Sequence, residues 1–164
     1  MKEVLSLAMI ELKVNGLAYK TEVRLKSTLL EVLRERLGIT SPKMGCNEGD
    51  CGACSVLLNG VFVRACITNA LTCNGKEVIT VEGLAQPGEI HPLQKTFVEL
   101  GASQCGFCIP GMIIAGKDLL DQNPNPSREE VKRGISGNLC RCTGYQKIVD
   151  SIIAVSRQMD EKIS

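Results

Sequence analysis

GCNEGDCGAC, at residues 45–54, places Cys46, Cys51 and Cys54 at the spacing C-x4-C-x2-C, with Cys66 following further along the chain. Three thiols confined to nine residues bridge poorly to one another, because a disulfide needs its two Cβ atoms facing at a defined separation. They can all face one inorganic centre. Gly45, Gly49 and Gly52 let the intervening loop curl tightly, so that backbone N–H groups turn inward toward sulfur.

The flanks of this loop read as a small sheet with one helix. Ile10, Leu12 and Val14 alternate with polar residues, Asn15-Gly16 is a two-residue hairpin signal, and Tyr19, Thr21, Val23 and Leu25 continue the period of two. Thr28 with Glu31 forms a capping box, Leu29, Leu30, Leu33 and Leu37 follow at helical spacing, and Gly38 is placed as a C-cap. A helix is therefore expected to cross the apolar face of the hairpin. Residues 55–58 and 61–64 flank a second Asn-Gly, at Asn59-Gly60, and this hairpin delivers Cys66 at its far end. Residues 78–81 are expected as a last short strand. C-x4-C-x2-C with a more distant fourth Cys is the ligand spacing of plant-type [2Fe-2S] ferredoxins, and residues 10–82 resemble their β-grasp fold. Structural zinc is the plainer alternative, although zinc sites usually join two short Cys pairs.

Composition narrows the classes of function. The 164 residues carry 19 basic and 18 acidic side chains, a net charge of +1 that gives no global field for nucleic acid or an anionic membrane. Two Tyr, three Phe and no Trp provide no stacking platform for bases. No apolar run approaches the ~18 residues of a membrane span. Nine cysteines without a signal peptide in residues 1–41 point to a reducing, cytoplasmic compartment, where clustered thiols more often bind metal than form bridges. No Gly-rich nucleotide fingerprint and no nucleophile–base constellation is present, so no catalytic residue is expected in this chain.

Residues 83–92, GLAQPGEIHP, have no periodicity and read as a linker; His91, the only histidine, is expected to be solvated or locally bonded. Beyond it the pattern becomes helical. Leu93, Phe97 and Leu100 mark one helix face ending at Gly101, and Pro110 opens a helix carrying Ile113, Ile114, Leu119 and Leu120. Asn123-Pro124-Asn125-Pro126 stops that helix, and Ser127 with Glu130 caps the next, through residues 131–135. A final helix places Ile148, Ile152, Val155 and Met159 on one side. The two Cys pairs, Cys105/Cys108 as C-x2-C and Cys140/Cys142 as C-x-C, interrupt this series. Helix, Cys pair, helix, repeated, suggests a four-helix arrangement with the pairs meeting at a pseudo-twofold axis. The predicted architecture is α+β: a ferredoxin-like β-grasp domain at 1–83 and an all-α four-helix domain at 84–164.

By spacing, the four C-terminal thiols admit three readings: zinc, a thioredoxin-type dithiol, or a second [2Fe-2S] site. The dithiol would need a preceding strand in a parallel βαβ unit, which the sequence does not supply. Cys73 belongs to neither set of four. It reads as a buried small residue, and is the one rival to Cys66 as fourth ligand.

SQCGFCIPGM at 103–112 and GNLCRCTGYQ at 137–146, following GCNEGDCGAC, together resemble the small iron–sulfur subunit of the molybdenum hydroxylases. This family includes xanthine dehydrogenase, aldehyde oxidoreductase, carbon monoxide dehydrogenase, nicotinate dehydrogenase and 4-hydroxybenzoyl-CoA reductase. The resemblance implies that Cys46, Cys51, Cys54 and Cys66 hold one [2Fe-2S] cluster and Cys105, Cys108, Cys140 and Cys142 a second. It implies that Gln104 and Cys142 lie against the pterin of a molybdopterin cofactor carried by a large partner subunit, and that FAD is carried by a medium one. The chain is then expected to be an electron-transfer subunit in a dimer of heterotrimers acting on an aldehyde, a purine or another N-heterocycle. A freestanding two-cluster ferredoxin and a zinc-stabilised interaction module are the rival readings. Residues 1–9 extend before the first strand of the family, with partner contact their one suggested role.

Overall fold

The computed structural model describes residues 7–86 and 88–163, with side chains described as far as residue 158. Most of the N-terminal extension and the side chain of Met159 lie outside these. The described residues form a five-stranded mixed sheet and five α-helices. β1 (Leu7–Val14) and β2 (Leu17–Arg24) pair antiparallel through the Asn15-Gly16 turn, where both residues have positive φ, 50° and 84°. That geometry belongs to the turn type whose twist matches the strands. β3 (Ser55–Leu58) and β4 (Val61–Arg64) repeat the device at Asn59-Gly60, with φ of 48° and 78°. β5 (Glu77–Ile79) is inserted parallel to β1 and antiparallel to β3, giving the order β2-β1-β5-β3-β4. The last strand stops before Val81, which instead begins a 3-10 turn leading toward the helical region.

The capping box at Thr28 is formed, and Glu31 and Thr28 each bond the other's backbone N–H. It starts α1 (Leu29–Glu31), which continues as one wider π turn over Val32–Arg36. Gly38, at φ +69°, then ends the segment, and Ile39 N–H bonds back to the Leu33 carbonyl at 2.8 Å. Leu29, Leu30 and Leu33 bury against Ile10, Leu12, Val14 and Val23 to form the first core. Leu25 lies beyond β2 and is 51% exposed, so the apolar alternation ends at Val23.

A second core is built by α2 (Pro92–Glu99), α3 (Ile109–Gln122), α4 (Arg128–Gly134) and α5 (Gln146–Ile163). Leu93, Phe97, Met112, Leu120, Val131, Ile148 and Ile152 fill it. Leu100 follows the end of α2 and is 41% exposed, so the apolar face of that helix rests on Leu93 and Phe97. His91 caps α2, its Nδ1 accepting the Leu93 N–H at 3.2 Å, and burial beside Lys117 lowers its pKa. Ser127 and Glu130 form the capping box of α4. The cores share β3. Val56 and Leu58 belong to the first core, while β3 also packs against α3 with Ser55 and Leu57 buried. No helix among the described residues is long and apolar enough to cross a membrane.

Candidate metal centres

The loop at 45–54 is shaped by its backbone. Asn47, Gly49 and Gly52 adopt positive φ of 60°, 90° and 71°, and Lys43 N–H bonds the Ala53 carbonyl at 2.9 Å to close the base. The curl turns the N–H groups of Glu48 and Cys51 onto Cys46 Sγ, each at 3.4 Å. Those donors, Cys51 first and Glu48 next, lower the Cys46 pKa to about 7. Gly45 leaves room for sulfur, since a Cβ there would stand 2.6 Å from Cys51 Sγ. Cys54 enters β3 and Cys66 follows β4, so the hairpin brings both buried thiols together. Burial, and then the adjacent Cys54, push Cys66 up to about 11.

In the C-terminal set, Cys108 stands at the start of α3 within the second core, whereas Cys105 and Cys142 are exposed with their sulfurs 3.5 Å apart. Hydrogen bonding between this pair raises the Cys142 pKa. Burial, and then the neighbouring Cys140, push Cys108 up to about 12. Burial also opposes ionisation of Cys140, but the Thr143 hydroxyl and N–H, at 3.0 and 3.4 Å from its sulfur, outweigh it and lower the pKa. Tyr145, itself at φ +66°, places its hydroxyl to accept the Cys140 N–H at 2.8 Å. Gln104 is exposed directly before Cys105. Cys73 lies apart from both sets, fully buried in the first core with its thiol 3.5 Å from the Asn69 carbonyl.

Within each set the thiols act on one another, Cys51 on Cys46, Cys54 on Cys66, Cys105 on Cys142 and Cys140 on Cys108, and the sulfurs of Cys105 and Cys142 stand 3.5 Å apart. Among the described residues, no three His, Cys, Asp or Glu side chains form a group that could hold a single metal ion. Two pairs of thiols fit a two-iron centre, which takes two protein ligands at each iron. Burial, and then a neighbouring thiol, raises the energy of ionising Cys66 and Cys108, and bound cations reverse that balance. The glycine cradle and the inward N–H groups fit the same group. Thr143 directly follows Cys142 and Tyr145 stands three residues after it, but neither has a spacing that signals its supporting role. Arg64, bonded to the Gly49 and Gly137 carbonyls, and Asn138, bonded to the Gly52 carbonyl, join the two loops and carry no spacing signal.

Comparisons with known proteins agree with this chemistry. The chain matches the family model "2Fe-2S iron-sulfur cluster binding domain" over residues 14–99 and the model "[2Fe-2S] binding domain" over residues 80–153. It is 50% identical over 139 residues to the nicotinate dehydrogenase small FeS subunit of Eubacterium barkeri, covering 85% of this chain and 88% of that one. To the xanthine dehydrogenase iron-sulfur-binding subunit of Escherichia coli O157:H7 it is 42% identical, covering 88% and 91%. To the aldehyde oxidoreductase of Megalodesulfovibrio gigas it is 45% identical over 91% of this chain, but spans only 17% of that larger protein. The crystal structure of quinoline 2-oxidoreductase from Pseudomonas putida 86 contains a chain that superposes with a TM-score of 0.89 at 41% identity, covering 94% of this chain and 97% of that one.

Proposed function

Because this chain belongs to the small [2Fe-2S] subunits of the molybdenum hydroxylases, we propose that it relays single electrons between a molybdopterin cofactor in a large partner subunit and FAD in a medium one. The observation that carries this reading is the curled loop that turns the N–H groups of Glu48 and Cys51 onto Cys46, together with the facing sulfurs of Cys105 and Cys142, while Cys73 lies buried apart from both. Cys46, Cys51, Cys54 and Cys66 would hold one [2Fe-2S] cluster, and Cys105, Cys108, Cys140 and Cys142 the other. Each cluster, when bound, accepts or releases one electron, so the pair divides a two-electron oxidation into single steps.

The residues of the chain supply placement and polarity. Backbone N–H groups of Glu48 and Cys51 stabilise charge on Cys46, and Thr143 does so on Cys140. Burial of Cys54, Cys66 and Cys108 keeps water from part of each set. The exposed Cys105, Cys142 and Gln104 form the side open to a partner, and Gln104 offers amide donors and an acceptor suited to a pterin. In this reading, residues 1–83 are a β-grasp ferredoxin-like domain and residues 84–164 a four-helix domain. The assembly is a cytoplasmic dimer of heterotrimers, with an aldehyde, a purine or another N-heterocycle oxidised at the large subunit.

Electron paramagnetic resonance on the dithionite-reduced complex, spin-counted per chain, tests this. The expected result is about two spins per chain in two distinguishable signals. One spin would restrict the assignment to a single set of thiols, and a spin-silent protein loaded with zinc would remove the electron-transfer reading.

A further inference from the structure

The two cysteine-bearing loops meet across a polar seam. Cys51 itself accepts the Leu139 N–H at 2.9 Å, and Leu139 directly precedes Cys140. The Gly52 carbonyl accepts Asn138 Nδ2 at 3.0 Å. Arg64, at the end of β4, spans both loops with one guanidinium: Nε to the Gly49 carbonyl at 3.3 Å, Nη1 to Ser55 Oγ at 2.8 Å and Nη2 to the Gly137 carbonyl at 2.7 Å. Ser55 Oγ in turn donates to the Gly52 carbonyl at 2.6 Å. The guanidinium also stacks 4.7 Å from the Phe62 ring centre.

The glycines of the seam leave no room for a side chain of their own. A Cβ on Gly52 would stand 2.6 Å from the Gly137 carbonyl and from Asn138 Cγ, a Cβ on Gly137 would stand 2.5 Å from Arg64 Nη2, and a Cβ on Gly111 of α3 would strike the Gly52 carbonyl. Asn138 is 2% exposed, and its Oδ1 has no hydrogen-bond partner among the described residues. A half-satisfied buried amide is unfavourable for folding, so its presence here needs another reason. Apolar packing alone would join the cores without fixing their register, because it is non-directional. A planar guanidinium fork and a buried amide fix distance and angle together.

We propose that Arg64 and Asn138 are positioning residues that hold the two thiol sets at one fixed separation for electron transfer between them. This role rests on the two-centre reading above. Electron tunnelling falls off exponentially with distance, so a seam gripping Cys51 and the peptide before Cys140 governs the rate between the centres more directly than any contact elsewhere in the cores.

The test uses the assembled complex and the variants Arg64→Lys and Asn138→Ala. Arg64→Lys retains the charge but cannot reach three acceptors. Wild type and variants are spin-counted, the magnetic splitting between the two reduced centres is measured, and amide exchange is followed across residues 137–142. Both variants are expected to keep two spins per chain, with a diminished or smeared splitting and with Leu139 exchange about tenfold faster, as loss of a charged or buried hydrogen bond predicts. Ser55→Ala, which removes one acceptor only, is the milder variant should the others fail to assemble, and a smaller change in the same direction is expected. Unchanged splitting and exchange in variants with two spins would overturn the proposal. Shifted potentials with unchanged splitting would do so too, assigning Arg64 an electrostatic role instead. Fewer than two spins in the wild type would overturn the two-centre reading itself.

Discussion

Cys46, Cys51 and Cys54 are held by a loop whose own backbone bends them inward, whereas Cys105, Cys108, Cys140 and Cys142 meet only because α2, α3 and α5 pack against one another. The first set is nearly a local property of ten residues, completed by one hairpin. The second draws two short segments, one between α2 and α3 and one between α4 and α5. Exposure differs in the same sense. Cys54 and Cys66 are buried in the first core, but Cys105 and Cys142 are exposed beside Gln104. A site assembled from helix ends can stay open on one side, because its walls are other elements rather than its own loop. A hydrogen-bonding partner can then reach that side without disturbing the core.

The largest test of this contrast compares Cys54→Ser with Cys105→Ser. Each is expected to lower the iron content from about four to about two per chain, since in the proposed function each removes one ligand of one two-iron centre. Cys54→Ser also places a hydroxyl in the first core and should destabilise the fold by about 2 kcal/mol. Cys105→Ser, at the surface, should leave the melting temperature of the iron-free chain unchanged. Equal melting temperatures for the two iron-free variants would break the contrast.

A smaller effect separates the glycines of the seam and the turn. Gly52→Ala meets both a left-handed backbone, φ +71°, and atoms of Gly137 and Asn138, whereas Gly60→Ala meets φ +78° with open space around it. Backbone strain alone predicts about 1 kcal/mol for Gly60→Ala. Gly52→Ala should cost about 3 kcal/mol, because crowding between the loops adds to that strain. Chemical denaturation of both variants checks the difference, and similar values would mean that the loops part easily.

The smallest expected effect belongs to the open side. Gln104→Ala should leave both spins and the stability intact and slow electron transfer from the molybdenum centre about fivefold, the equivalent of one net hydrogen bond of ~1 kcal/mol. Stopped-flow reduction of the complex by its substrate provides the measurement. An unaltered rate with full cofactor content would remove the pterin contact from the proposed function.

Much of this was legible in the sequence because it depends on local chemistry. Asn15-Gly16 and Asn59-Gly60 announce their hairpins through the left-handed conformations that the turns require. Thr28 with Glu31 and Ser127 with Glu130 announce helix starts through reciprocal capping. Cys spacing announces candidate ligands, since covalent reach limits which thiols one centre can gather. Less legible were the ends of elements. The helix after Thr28 widens into a π turn, β5 stops before Val81, and Leu25 and Leu100 fall just outside the faces whose periodicity they continue. Periodicity extends past an element wherever the next residue happens to be apolar, and only packing decides whether it is buried.

What the sequence determined by itself was therefore the set of short-range devices: two hairpins, the capped helices, the glycine-rich loop and the two groups of cysteines. Tertiary structure alone decided how the groups face each other. Arg64 is a single residue with no periodic or spacing signature, and its three acceptors, at Gly49, Ser55 and Gly137, come together only when β4, the first loop and the segment before Cys140 are folded. Asn138 reaches Gly52 across 86 positions of the chain. Contacts at that separation leave no local trace, because they arise from the docking of one core against another rather than from the conformational preferences of neighbouring residues.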